Sequence, residues 1–270
     1  MATEYLDAGA KTFAASAWSG SGLANGNDYI VDVGFGPITG GLDQSALTGI
    51  ESLYFKNTSN GIVGGGSSGS LLIDADATAD AYISNYGNVT LYASGAVTEF
   101  SCGPGSTNFL TGGAFGNVVI DGGTVNFNES TSITGEVYIN SGIVSVEYNA
   151  ANATSMQING GNVTLKRAPT ILTINDGTVT LDPDSAEEYT SKTLNLNGGR
   201  LIMKGGSYPT ANLDGGVLDL RLNNRDLVLG ATAGKTSSAC RIYGHPNADL
   251  SGITPRSSSK VNVGGAIPFP

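Results

Sequence analysis

The 270-residue chain carries 13 Lys and Arg against 23 Asp and Glu, a net charge of −10, so it offers no general basic surface to the phosphate backbone of nucleic acid. Charged residues make up only 13%, glycines number 40 and hydrophobic residues reach 40%, which excludes a charge-rich disordered chain and leaves material for a core. No apolar run approaches the ~18 residues a membrane helix needs, so no membrane partner is expected.

Residues 1–49 form the first region. The opening "MATEYLDAGAKTFAASAW" has an acid at Glu4 and no basic segment ahead of an apolar run. It does not read as a secretory leader, and synthesis in a cytoplasm is expected. "AWSGSGLANGND" reads as loop and "YIVDV" as a strand. This region is assigned to capping or attachment.

Residues 50–230 are expected to form a β-solenoid. "IESLYF" and "SLLIDADA" read as its first coils, separated by "GIVGGGSSGS". "AYISNYGNVTL" at 81–91 is a loose copy of a phrase that then recurs six times. The copies are "IDGGTVNF", "INSGIVSV", "INGGNVTL", "INDGTVTL", "LNGGRLIM" and "LDGGVLDL", at intervals of 16–22 residues. Self-similarity at this period is the mark of stacked repeats. Each copy has two short pieces that alternate apolar and polar around a turn, which argues strand. The turn also suits a hairpin, but no copy carries a strand complement of its own. One coil cannot bury its apolar face alone, whereas stacked coils can. The fold class is therefore all-β, a single-stranded parallel β-helix of ~18–19 residues per coil, expected right-handed.

Stacking turns equivalent positions into columns. Ile120, Ile139, Ile158, Ile174, Leu196 and Leu213 form one apolar column. Val125, Val144, Val163, Val179, Leu201 and Leu218 form a second, and Phe127, Val146, Leu165, Leu181, Met203 and Leu220 a third. Gly123, Gly142, Gly161, Gly177, Gly199 and Gly216 sit where a tight corner needs a positive φ. Ahead of them run Asp121, Asn140, Asn159, Asn175, Asn197 and Asp214. Stacked amides both donate and accept, so asparagines form a ladder along the stack, while an ionised Asp only accepts. Asn in the middle and Asp at both ends is the order such a ladder expects; turn preference explains the residue types but not the order.

Residues 231–270 lose the pattern and are rich in Ser, Pro and Gly, which suggests a C-terminal extension or cap. His245 is the only histidine, which excludes Ser-His-Asp and multi-His metal sites within the chain. "GGGSSGS" lacks the Lys of a phosphate loop, and no calcium-binding G-G-x-G-x-D occurs. No catalytic, cofactor or metal residue is assigned. Paired carboxylates in "LDPDSAEEY" (Asp182, Asp184, Glu187, Glu188) and "IDADATAD" (Asp74, Asp76, Asp80) have the chemistry of polysaccharide cleavage, but read better as solvated loops. Cys102 and Cys240 read as reduced, buried thiols.

"WSGSGLANGNDYIVDVG", followed by "ITGGLDQSALTGIESLYF", resembles the opening of small β-solenoid structural proteins of tailed bacteriophages, in which "GLDQS" precedes a strand leading into the coils. The resemblance covers residues 16–56 by motif and the rest by repeat style. It implies a virion component without enzymatic activity: a capsid decoration (cement) protein on the exterior of the head, made in the host cytoplasm. It further implies a homotrimer whose partners are itself and the major capsid protein or another virion protein. The alternative is a tail fibre or tailspike-type protein that binds, or cleaves, a host surface polysaccharide as its glycan partner.

Overall fold

The computed structural model describes residues 96–110, 114–129, 131–147, 153–183, 192–205, 208–222, 227–237, 239–244 and 248–255. It also describes the strands Thr3–Tyr5, Asp28–Val31, Ser52–Phe55, Asn60–Ile62, Tyr82–Asn85, Asn88–Ala93 and Val263–Gly264. The described residues are all-β, and short parallel strands stack as a β-solenoid. The chain divides into two compact units, Met1–Glu136 and Val137–Pro270.

In the first unit, Thr3–Tyr5, Asp28–Val31, Ser52–Phe55, Tyr82–Asn85, Ala96–Cys102 and Ala114–Ile120 pair in parallel in that order. A second sheet runs Asn60–Ile62, Asn88–Ala93, Thr107–Leu110, Thr124–Phe127. Phe100, Phe115 and Phe127 fill its interior, with edge-to-face ring centroids 6.0 and 6.2 Å apart. Asn108 stands beside Val125 in the second sheet and is wholly buried, although it is polar. Its amide donates to Ser106 Oγ at 3.1 Å, and Ser106 Oγ donates to Gly103 O at 2.7 Å, which offsets the desolvation.

In the second unit the recurring phrase becomes strand–corner–strand. Ser155–Ile158 and Asn162–Leu165 do not pair with each other, so the hairpin alternative fails. Each pairs instead with its counterpart one coil on. The first sheet runs Ser155–Ile158, Ile171–Ile174, Thr193–Leu196, Tyr208–Leu213. The second runs Ile143–Val146, Asn162–Leu165, Thr178–Leu181, Arg200–Met203, Val217–Asp219. Ile158, Ile174, Leu196 and Leu213 meet in register, as do Val144, Val163, Val179, Leu201 and Leu218. Every member of the three expected apolar columns is buried. Each such aliphatic side chain contributes roughly 1.5–3 kcal/mol of burial.

The corners stay hydrogen-bonded. The amides of Asn162, Thr178, Arg200 and Val217 donate to the carbonyls of Gly142, Gly161, Gly177 and Gly199 on the preceding coil, at 2.8–2.9 Å. All six predicted corner glycines have positive φ, between 64° and 102°. Gly161 shows why no other residue fits: φ is +83°, and a Cβ there would lie 2.5 Å from Gly142 O.

Parallel pairing continues beyond residue 230, where the sequence pattern stops. Leu227–Thr236 pairs with Tyr208–Leu213, Arg241–Tyr243 with Val217–Asp219, and Ile253–Pro255 with Leu227–Thr236. The reason is a register shift in the Leu227–Thr236 strand, where Tyr208 faces Leu229 but Thr210 faces Ala233. Gly230, at φ +70°, lies in this bulge. Extra residues break the period-2 alternation without ending the sheet. The parallel strands Thr3–Tyr5 and Asp28–Val31 lie within residues 1–49, the region assigned to capping or attachment, and the second falls on the expected strand "YIVDV".

Candidate functional site

Two polar constructions stand out. The first is the corner row. Asn159 Nδ2 donates to Asn140 Oδ1 at 2.7 Å, Asn175 Nδ2 to Asn159 Oδ1 at 2.8 Å, and Asn197 Nδ2 to Asn175 Oδ1 at 2.9 Å. All three bonds point the same way. Gln157 Nε2 adds a second donor to Asn159 Oδ1 at 3.0 Å. A parallel row lies on the first sheet, where Asn212 Nδ2 donates to Asn195 Oδ1 at 2.9 Å and Asn195 Nδ2 to Thr173 Oγ1 at 3.2 Å. Asp214 follows at the corner, its amide donating to Leu196 O and its carbonyl accepting from Ser237 Oγ at 2.6 Å. In the other unit, the amide of Asp121 donates to Cys102 O.

The row carries a prediction. Asn159→Asp sets a carboxylate oxygen against Asn140 Oδ1 in place of an N–H donor. A loss of about 1–2 kcal/mol in urea unfolding at pH 7 is expected, shrinking at pH 3, where a protonated carboxyl can donate. An Asp variant as stable as the parent at pH 7 would show that the row contributes nothing.

The second construction was not foreseen from the sequence. It lies on the outer face of the second sheet, where pairing aligns Ser145, Thr164, Thr180, Ile202, Asp219 and Tyr243. Asp219 is the one acid in this row, and it is 2% exposed. Arg221 holds it with Nε to Oδ1 at 2.9 Å and Nη2 to Oδ2 at 2.8 Å, and Arg200 Nη2 reaches Oδ2 at 2.5 Å. The Arg221 backbone amide also donates to Oδ1 at 3.2 Å. Hydrogen bonds from Arg221 hold this carboxyl well below the usual carboxylate range, against the opposing effect of burial, and Arg200 reinforces them. The Arg221 guanidinium lies 4.9 Å from the centre of the Tyr243 ring. Arg200, Val217, Arg221 and Tyr243 line an open recess of about 290 Å³.

Asp182, weighed above as a catalytic acid, lies between two lysines, with Lys204 Nζ at 3.1 Å and Lys166 Nζ at 3.6 Å. Burial pushes its carboxyl up, but the hydrogen bonds and charge of Lys204 and Lys166 outweigh this and lower it. Asp184, Glu187, Glu188, Asp74, Asp76, Asp80 and His245 lie outside the described residues. Among the described residues, no three His, Cys, Asp or Glu side chains come together as a metal site. Cys102 and Cys240 are free and buried, and burial pushes their thiols up to about 12 and about 11, so neither is a ready nucleophile.

Comparison of the chain with protein-family models, curated proteins and solved structures finds no match.

Proposed function

We propose that this chain is a non-enzymatic structural protein of a tailed-phage virion, decorating the outside of the head as a homotrimer. The observation that supports this best is mechanical. The second unit is an in-register stack whose interior columns repeat from coil to coil, tied at its corner by the row Asn140–Asn159–Asn175–Asn197. To shear one coil against the next, every backbone and amide bond of that level has to break together. Such a body suits reinforcement. The "GLDQS" block near the N-terminus supports the virion assignment, and residues 1–49 are the proposed seat on the major capsid protein. Threefold assembly would cover sheet edges that a monomer leaves open.

The test is a phage deleted for this protein, with immunogold labelling of the parent. Deleted particles are expected to assemble complete heads that release DNA at a lower temperature than the parent, with label spread over the parent head. Label confined to the tail tip, or heads that fail to assemble, would overturn the reading.

A further inference from the structure

We propose that the recess of Arg200 and Arg221 binds the carboxylate of an acidic saccharide, giving the protein a sugar-binding site on the outer face of its second sheet. This rests on the recess alone and requires no particular place in a virion.

The local charge is the first argument. The chain is acidic overall, at −10. Yet two guanidiniums, those of Arg200 and Arg221, line this recess, and Arg241 stands in register beside Val217 on the next coil. The buried Asp219 carboxylate bonds both Arg200 and Arg221, so two cationic groups wall the recess around a single shared acid. The neighbouring Lys166, Lys204 and Asp182 form a separate, net cationic group.

Preorganisation is the second. Asp219 is buried and fixes both guanidiniums from beneath through three side-chain hydrogen bonds. Arg200 uses one terminal nitrogen on Asp219, while its side chain stays 45% exposed. Its remaining N–H donors form a planar fork, the geometry that recognises a carboxylate in two-point fashion.

The surroundings select the ligand class. An acidic protein partner would be expected to find an apolar centre with a polar rim. The face leading to this recess presents Asn162, Thr164, Thr178 and Thr180 on adjoining coils, hydroxyl and amide groups suited to sugar hydroxyls, with Ile202 between Thr180 and Asp219 and the exposed Ile143 beside Asn162 as isolated apolar positions. Half-buried Val217 and Tyr243 supply a small apolar floor. The volume is at the lower end of ligand pockets and suits one sugar ring.

The experiment titrates the full chain by calorimetry with oligogalacturonate, its methyl ester and polyglutamate. Oligogalacturonate is expected to bind, and the ester to bind about tenfold more weakly or worse. Arg200→Gln should weaken oligogalacturonate by a similar factor, and Arg200→Lys should restore only part of the loss. If Arg200→Gln fails to fold, Arg200→Lys and the ester still decide. The proposal is overturned if oligogalacturonate does not bind, if acid and ester bind equally, or if the folded Arg200 variants bind like the parent. Polyglutamate binding as tightly as oligogalacturonate would also overturn it, in favour of an acidic protein partner.

Discussion

Gly161→Ala is expected to destabilise the second unit by about 3–5 kcal/mol, although it adds one methyl group. Two costs combine. A non-glycine residue at φ +83° costs about 1–2 kcal/mol through its own backbone. The new Cβ would also fall 2.5 Å from Gly142 O and 2.9 Å from Gly142 N, and these are backbone atoms of the adjacent coil that cannot swing aside. Gly105→Ala separates the terms. Gly105 has the same φ of +83°, but a Cβ there meets nothing within 4 Å, so only the first cost applies. Because stacked repeats can open locally, hydrogen exchange is a better readout than a single melting curve. The amides to follow are Asn162 and Thr178, which donate to Gly142 O and Gly161 O. If Gly161→Ala weakens protection no more than Gly105→Ala weakens its own surroundings, close coil approach is not what requires glycine.

Asp219→Asn is expected to cost about 2–3 kcal/mol at pH 7, less than a fully buried ion pair because both arginines reach solvent. The pH dependence identifies the cause. The folded protein holds this carboxyl below its ordinary value of about 3.9, so it stabilises the fold when ionised. That contribution is complete above the unfolded value and is lost as the pH falls towards the lower folded one. The gap between parent and variant in urea unfolding should therefore stay constant from pH 7 to about pH 5 and narrow below about pH 4. A gap that is absent at pH 7, or unchanged down to pH 2, would rule out the ion pairs as its source.

How much of this was legible depended on whether a feature leaves a residue type at a fixed offset. Interior columns do, because period-2 alternation places Val163 and Leu165 inward. Corner glycines do, because only glycine accepts both φ and the close coil. The asparagine row was legible in its order but not in its direction. Asp at both ends was read as equally suitable, yet a row donating one way presents N–H at the Asn140 end and oxygen at the Asn197 end. An ionised carboxylate complements the first and not the second. Amide orientation is set by neighbours in space, and no residue letter records it.

The arginine recess was illegible for a different reason. Arg200, Asp219 and Tyr243 are ordinary residue types far apart in sequence, and they converge only once the register is known. One of their coils was also hidden, since the bulge at Gly230 erased the alternation just before Arg241 and Tyr243. The signal that was available is Asp219 itself, a carboxylate in a slot that Ser145, Thr164 and Thr180 fill with hydroxyls.

The corners have one more consequence. Between the two strands of a phrase there are always three residues, as in Asn159, Gly160 and Gly161 or Asn197, Gly198 and Gly199. Between one phrase and the next, the spacing varies from 16 to 22 residues, yet the pairing stays in step. Length is therefore held constant only where strands must align, and each corner resets the count. An insertion between phrases is absorbed before the next corner and is not passed on. For a gene, this makes the coil a unit of inheritance: whole coils can be duplicated or lost, and the joints between them lengthened, without rewriting any neighbour.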